Sequence, residues 1–257
     1  MSSASVRSLQ SWAYRYKRTW RGSAVSSVLQ PVLFLAAMGL GLGSLVNKGH
    51  RGSLGGVSYL VFLAPALLAA AAMQTAAMEA AWPVMAAVKW LKTYDAMLAT
   101  PLRVRDILAG HLTWIGVRVL MVCTIFFVVM AAFDAIKSPE AVLLIPVGLL
   151  TGLAFAAPIA GYAVTLERDS GLTALFRFGV MPMFLFSGTF FPVSQLPVEL
   201  RPVAYITPLW HGVDLCRHLA LGKASFLGSL AHVAYLGAWF VGGCLIANAT
   251  YRRRLVQ

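Results

Sequence analysis

Six long runs of apolar residues dominate the sequence, and each is long enough to cross the hydrocarbon core of a membrane. They span residues 26–46, 57–81, 111–133, 142–166, 172–191 and 226–250, and a transmembrane helix needs about 20 residues. Of the 257 residues, 59% are hydrophobic and only 12% are charged, against about 25% charged in a soluble domain. The sequence therefore predicts an all-α integral membrane protein: a single domain over residues 1–257 with six transmembrane helices.

The first 24 residues form a basic segment rich in aromatic rings, which precedes the six-span region at residues 25–250. Its cations and rings alternate in the order Arg7, Trp12, Tyr14, Arg15, Tyr16, Lys17, Arg18, Trp20 and Arg21. Rings and cations of this kind favour the headgroup region of a bilayer. We therefore predict an amphipathic helix lying in the membrane interface, and we expect no cleavable signal peptide.

The distribution of lysine and arginine predicts the orientation of the chain. If the N-terminus is cytoplasmic, 13 of the 21 Lys and Arg residues fall on cytoplasmic segments and 6 on outer ones, as the positive-inside rule requires. Both termini, including the basic tail at residues 251–257, are thus predicted to be cytoplasmic. The net charge of +12 is assigned to contact with membrane lipids and not to nucleic acid. The three cysteines have neither disulfide nor metal spacing, so we expect them to be packing residues.

The longest cytoplasmic loop, residues 88–114, has more internal pattern than a simple connection needs. Thr93 is predicted to cap a short helix that Thr100 and Pro101 end. The apolar residues of this helix share one face, and they are Tyr94, Met97 and Leu98. Two hypotheses fit this amphipathic helix: it lies among lipid headgroups, or it docks into a cytoplasmic partner.

The segment after the fifth run is the second unusual feature. Its aromatic residues are placed at the outer interface, and they are Phe184, Phe186, Phe190 and Phe191. Pro192 and Pro197 break the helix there, and two apolar pieces too short to span a membrane follow, separated by Thr207 and Pro208. We predict a re-entrant pair of helices that enters the outer leaflet between spans five and six.

Several polar residues within these apolar segments have more than one interpretation. His211, Asp214 and His218 form a stripe that either lines a polar cavity or faces the outer headgroups; pairing of Asp214 with Arg217 or His218 is favoured over a metal site. Glu79 is either a proton or substrate site, or part of an ion pair with Lys89 or Arg118, and the ion pair is favoured.

The first span contains Gly39 and Gly43 in the spacing that lets two transmembrane helices approach closely. The same glycines would also allow the helix to bend. Two interpretations of Gly39 and Gly43 therefore remain: a contact with a second subunit, or a flexible point in the helix.

The stretches FSGTFFPVSQLP, TPLWHGVDLCRHLALG and YDAMLATPLRVRDILAGHLTW, in their order and spacing, resemble the ABC type-2 exporter permeases. The nodulation-type lipo-oligosaccharide exporters and the drug and polysaccharide exporters of this family are the most similar. The resemblance covers the whole chain. It implies a bacterial inner-membrane exporter in which two permeases, identical or related, work with a cytoplasmic dimer of ABC ATPases.

The resemblance also implies roles for individual residues. The N-terminal segment would be the connecting helix, and the coupling helix that docks into the ATPase would comprise Thr93, Tyr94, Asp95, Met97, Leu98, Thr100 and Pro101. The translocation path and outer gate would include Phe184, Phe186, Phe190, Phe191, His211 and Asp214. The chain has no G-x-x-x-x-G-K-[ST] phosphate loop, so ATP and Mg would act in the partner, and no cofactor is expected here.

The implied cargo is an amphipathic, drug-like or lipid-linked molecule, and its identity stays open. Two rival classes are a membrane-embedded enzyme that modifies lipids and a passive channel or assembly component. The enzyme would need paired nucleophilic or acid and base residues inside the spans, and the sequence shows no such pair with convincing spacing. A passive channel would not need the patterned loop at residues 88–114.

Overall fold

The computed structural model describes residues 3–43 and 57–255, apart from the side chains of residues 3–5, 15, 18–28, 30, 39, 40 and 42. The regular elements of these residues are all helical. The α-helices are α1 (Ser3–Leu35), α2 (Tyr59–Met85), α3 (Thr93–Leu98), α4 (Val104–Ala132), α5 (Leu144–Ala163), α6 (Ser170–Leu175), α7 (Met181–Phe186), α8 (Arg201–Ile206), α9 (Pro208–Ala220) and α10 (Phe226–Leu255). Three π-helical turns extend or join them: Ala36–Leu42 after α1, Ala86–Trp90 after α2, and Phe176–Val180 between α6 and α7. Short 3₁₀-helices cover Pro139–Leu143 and Val193–Gln195.

Four helices of the described residues are long and apolar enough to cross a membrane, and they correspond to the second, third, fourth and sixth predicted spans. They are Tyr59–Trp90, Val104–Ala132, Pro139–Ala163 and Phe226–Leu255. The fifth predicted span, 172–191, is a shorter apolar helix that ends at Phe186. Residues 44–46 of the first predicted span lie outside the described residues. The prediction of an all-helical membrane protein is confirmed. Of the six predicted spans, four are long and apolar enough among the described residues to cross a membrane.

The N-terminal helix differs from its prediction, because no break separates an interfacial helix at residues 1–24 from the first span. Instead α1 runs on from Ser3 to Leu35, and helical structure continues to Leu42. Two of its predicted interfacial rings contact protein, since Trp12 stacks on His111 of α4 at 4.2 Å between ring centroids and Tyr16 packs on Trp114. Tyr14, on the opposite side, is 72% exposed. Trp12 and Tyr16 lie four residues apart on one face of α1, and they therefore hold α1 along α4.

The centre of the bundle is α2, which packs against α4, α5 and α9. Alanine occupies much of the buried surface of α2, and small residues allow helices to approach closely in lipid. At Gly152 of α5, an added Cβ would lie 3.1 Å from the carbonyl oxygen of Ala72. Close backbone packing, and not large interlocking side chains, therefore holds α2 and α5 together.

The same principle makes the contact between α5 and α10 sensitive to a single methyl group. A Cβ at Gly161 would lie 2.8 Å from Cα of Ala247, which is backbone and cannot rotate away. We expect Gly161→Ala to destabilise the protein by about 1–3 kcal/mol through overpacking, seen as a lower midpoint of thermal unfolding in detergent. Gly237→Ala on α10 is the matched control, since no described atom outside its own stretch of helix lies within 4 Å of its added Cβ. Equal midpoints for the two variants would contradict this packing.

The bundle has two ends, which we name by the segments they hold. The loop end contains the 91–103 loop, the turn at residues 164–169 and the end of α10. There Lys89 donates to the carbonyl of Glu167, and the Glu167 carboxylate pairs with Arg254. The arm end contains residues 187–225. We call its longest helix, α9, the arm. It lies beside the start of α2, because Arg217 of the arm donates to the carbonyl of Phe62.

Candidate functional site

A cavity of about 460 Å³ lies between α1, α2, α4 and α7. α2 supplies one wall because its residues at helical spacing, 67, 71, 74, 75, 78 and 79, face the cavity while most other residues of α2 are buried. The polar lining residues are Gln74, Thr75, Glu79 and Arg118. The apolar ones are Pro31, Phe34, Leu67, Ala71, Met78, Val122, Phe126 and Phe184. The wall therefore offers hydrogen-bonding groups and aromatic surface to one ligand.

An ion pair lies in the polar part of the cavity wall. Arg118 Nε lies 3.1 Å from Glu79 Oε1, which confirms the favoured interpretation of Glu79 and selects Arg118 over Lys89. Arg118 Nη1 also donates to the Tyr16 hydroxyl at 2.7 Å, and the guanidinium lies over the Tyr16 ring at 4.4 Å. This pair therefore connects α1 with both helices of the cavity wall.

The four phenylalanines that were predicted to form one gate lie in three different surroundings. Phe184 lines the cavity, and Phe190 meets its ring edge-on at 5.0 Å and lies 6.2 Å from Phe34 of α1. Phe186 is 45% exposed and is absent from the cavity lining. Phe191 packs into a small separate cluster with Val193, Leu196, Ala204 and Trp210. Two of the four rings are thus associated with the cavity.

The turn that ends α7 is held by a buried arginine of the arm. Gly188 has φ +79, a left-handed conformation that glycine adopts without strain, and its carbonyl accepts from Arg217 Nη2 at 2.7 Å. The same guanidinium lies over the Phe62 ring at 3.8 Å. The predicted pairing of Arg217 with Asp214 on the helix surface is therefore wrong, because Arg217 faces the bundle interior. The left-handed Gly188 follows the end of α7 at Phe186, and Arg217 satisfies the carbonyl of this turn.

The 91–103 loop is anchored by one fully buried ring. Tyr94 is 0% exposed; its hydroxyl lies 3.5 Å from His111 Nδ1, and its ring packs on Tyr251 of α10 at 5.8 Å. Lys92, with φ 46, precedes α3 as its cap, so the prediction that Thr93 caps this helix is wrong. The next helix, α4, begins with the Asp106 carboxylate accepting from the Arg103 backbone N–H at 3.2 Å.

The exposed surface of this loop differs from the predicted docking face. Of the predicted residues, Asp95, Thr100 and Pro101 are exposed, Thr93, Met97 and Leu98 are half-buried, and Tyr94 is inside. Two residues that the sequence analysis missed, Trp90 and Leu91, are 64% and 61% exposed. The available signal was the stretch KWLK, in which two large apolar residues stand between lysines at the end of a span.

His211 and Asp214 do not line the cavity and lie on the arm, near a histidine that the sequence analysis missed. Asp214 Oδ2 lies 3.2 Å from His218 Nδ1 and 3.3 Å from His232 Nε2 of α10. The predicted pairing of Asp214 with His218 is thus confirmed. A histidine in the apolar run of the sixth span was the signal for His232. Within the described residues, no three or more His, Cys, Asp or Glu side chains are grouped to hold a metal ion.

The predicted subunit contact in the first span is only partly within the described structure. Gly43 is buried inside this chain, and the burial of Gly39 lies outside what the structure describes. A contact between subunits through Gly39 and Gly43 stays a prediction.

Comparison with known proteins defines the class. The family model of the ABC-2 type transporters matches residues 7–221, so the chain belongs to this family and is a membrane component of an ABC transporter, not its catalytic part. Nodulation protein J of Rhizobium leguminosarum bv. trifolii is 33% identical over the full length of both chains. The same protein of R. leguminosarum bv. viciae is 32% identical over 96% of this chain and 94% of its own. That of Rhizobium meliloti (strain 1021) is 31% identical over 95% and 92%.

The ion pair in the cavity wall can be tested by its contribution to stability. We expect Arg118→Ala to cost on the order of 2 kcal/mol, between the values for exposed and buried pairs, because it leaves the Glu79 carboxylate without this partner. The double variant Arg118→Ala with Glu79→Ala should recover part of that loss in a double-mutant cycle measured by thermal unfolding. The exposed pair of Lys137 and Asp134, at 2.7 Å, is the control, and Lys137→Ala should change stability by less than about 1 kcal/mol. Strictly additive losses of stability in Arg118→Ala and Glu79→Ala would contradict an energetic coupling between the two side chains.

Proposed function

We propose that this chain is the permease subunit of an ATP-driven exporter that moves an amphipathic, drug-like or lipid-linked molecule across the bacterial cytoplasmic membrane. A separate ABC ATPase dimer would supply the energy, and a second permease, identical or related, would complete the path. The observation that supports this most is the cavity, whose lining combines polar and aromatic side chains, in a chain of the ABC-2 type transporter family.

The cavity suits an amphipathic cargo because helices on different sides of it supply polar and aromatic lining residues. Gln74, Thr75 and Glu79 follow one another along α2, and Phe34 and Phe184 approach from α1 and α7. Its volume of about 460 Å³ falls in the usual range of ligand pockets, about 300–1,000 Å³. Met78 on the lining is 50% exposed, so the cavity opens to the surface of this chain. The second permease would close it from that side.

The loop end is the proposed cytoplasmic side. Its cations are Lys89, Lys92, Arg103, Arg105, Arg168, Arg252, Arg253 and Arg254, and cytoplasmic segments of membrane proteins carry such an excess. The exposed surface of the 91–103 loop, with Trp90 and Leu91 beside it, would dock into the ATPase. Exposed apolar residues with a polar rim are typical of protein interfaces.

A chain of contacts leads from the proposed docking loop to the cavity. Tyr94 reaches His111, His111 stacks on Trp12, and Tyr16, one turn further along α1, holds Arg118 of the cavity wall. Movement of the loop would therefore displace α1 and the ion pair together. Packed elements of this kind transmit motion when they have two discrete arrangements.

Co-purification and reconstitution test the proposal. The affinity-tagged chain should retain a soluble ATPase with a phosphate loop, and the two together in proteoliposomes should accumulate an amphipathic cargo only with ATP. A chain that binds no such ATPase, or that passes cargo equally well without ATP, would favour a passive channel and contradict the proposal. Chemical change of added lipid by the permease alone would identify an enzyme.

A further inference from the structure

Four titratable side chains at the arm end form one continuous chain of hydrogen bonds, separate from the cavity and unused by the proposed transport path. His211 Nδ1 lies 2.9 Å from His232 Nδ1. His232 Nε2 lies 3.3 Å from Asp214 Oδ2, and the same oxygen lies 3.2 Å from His218 Nδ1. Because His232 belongs to α10 and the other three to the arm, the chain joins the two helices.

Counting protons fixes the donors along this chain. His218 Nδ1 faces two acceptors, the Asp214 carbonyl at 2.9 Å and its carboxylate, so this nitrogen must carry a proton. His232 Nε2 also faces the carboxylate and must donate. Only one proton then fits between His211 Nδ1 and His232 Nδ1, because a hydrogen bond between two nitrogens needs one of them bare.

The pair of His211 and His232 can therefore take up one proton and keep its bond, but not two. A single added proton leaves one Nδ1 bare, and the bond becomes charge-assisted. A second proton places two N–H groups face to face and two positive charges at contact distance, which is repulsive. The second protonation must break the contact.

The surroundings of the pair lower the pKa of His211 on balance, although a hydrogen bond with the Tyr205 backbone and the charge of Asp214 act in the opposite direction. His211 is stacked on Tyr235 of α10 at 3.8 Å and meets Trp210 edge-on. Burial, and then the neighbouring His232, lower the pKa of His211. Burial opposes ionisation of Asp214, but hydrogen bonds from His218 and His232 hold its pKa well below the usual range, so the carboxylate stays charged. From the other helices packed on the arm, Thr151 of α5 contacts Gly212 and the Phe62 ring contacts Arg217; Tyr205 of α8 accompanies Trp210.

We propose that His211 and His232 form a proton-binding clasp that holds the first turns of the arm to α10 at neutral pH and releases them in acid. The clasp goes beyond the proposed transport function and does not depend on it. The first added proton keeps the bond and the second one breaks it. Because burial and His232 lower the pKa of His211 in the folded protein, the contribution of the pair to docking is complete above the ordinary histidine pKa of about 6.5 and is lost as the pH falls and the second proton binds. His218 has the opposite sign: its hydrogen bond to Asp214 raises its pKa, so its contribution is present in acid and is lost as the pH rises.

Hydrogen–deuterium exchange of the full chain in lipid nanodiscs tests the clasp. Amides of residues 209–215 would be compared at about pH 7.5 and about pH 5, after correction for the intrinsic exchange rate. We expect protection to fall about tenfold or more in acid, because the arm then opens locally from α10. His211→Gln can still hydrogen-bond to His232, but position 211 then takes up no proton, so this variant should show no fall in protection in acid.

His218→Gln is the matched control, because His218 lies on the same helix and its hydrogen bonds described above are to Asp214 and not to the pair of His211 and His232. It should keep the full acid response of the wild-type protein. If His211→Gln fails to fold, His232→Gln serves the same comparison. Equal protection of the wild-type arm at the two pH values, a response retained by His211→Gln and His232→Gln, or a response lost in His218→Gln would each overturn the clasp.

Discussion

Leu91→Asp is expected to abolish cargo-stimulated ATP hydrolysis in the reconstituted transporter while leaving the helical bundle intact. Leu91 is 61% exposed in this chain, so a carboxylate there remains in water and costs the fold little. In a docked complex the same carboxylate would be buried in an apolar contact without a partner. Loss of a central contact of this kind costs on the order of 2 kcal/mol or more, which is about 30-fold in affinity.

The measurement is the rate of ATP hydrolysis with and without cargo, together with the amount of ATPase that co-purifies. Val198→Asp is the matched control, because Val198 is 67% exposed but lies at the arm end. It should leave both readouts unchanged. If Leu91→Asp retains normal stimulation, the exposed surface of the 91–103 loop does not form the ATPase contact.

Tyr94→Ala is expected to give the largest loss of stability, about 3–5 kcal/mol, since truncating a fully buried aromatic ring leaves a cavity. Tyr94 fills the space between His111 of α4 and Tyr251 of α10, so its removal frees the loop from two helices at once. Tyr94→Phe keeps the ring and loses only the hydroxyl, which should cost about 1 kcal/mol. Thermal unfolding and the rate of protease cleavage within residues 91–103 measure these effects.

The two Tyr94 variants also separate anchoring from docking. If Tyr94 were part of the docking surface, Tyr94→Ala would weaken ATPase binding without lowering the unfolding temperature. An unfolding midpoint equal to that of the wild type would therefore contradict the buried position of the ring.

The sequence predicts the helices well where local pattern decides them. Apolar runs of sufficient length identified α2, α4, α5 and α10, because a long apolar helix satisfies its own backbone inside a membrane. The pairing of Asp214 with His218 was predictable for the same reason, since both residues lie on one helix at i and i+4.

The features that the sequence did not predict depend on residues far apart in the chain. Periodicity placed Tyr94 and Met97 on one face of α3 but could not say which side Tyr251 would cover. The turn after the end of α7 at Phe186 contacts Arg217 of the arm, which donates to the Gly188 carbonyl. The clasp was missed because His232 stands in a different helix, so no spacing rule connects it with His211.

The π-helical turns have a consequence for how this scaffold can vary in length. A π turn contains one residue more than the α-helical turn it replaces, so deleting one residue from Phe176–Val180 would leave α6 and α7 facing the same way, and a deletion within Ala36–Leu42 would leave α1 unchanged up to Leu35. In an uninterrupted α-helix the same deletion would rotate every later side chain by about 100°, given 3.6 residues per turn. Both turns lie in segments that adjoin the cavity-lining residues Phe34 and Phe184. Single-residue insertions and deletions at these two positions could therefore reshape the binding wall during evolution while the rest of the bundle keeps its packing.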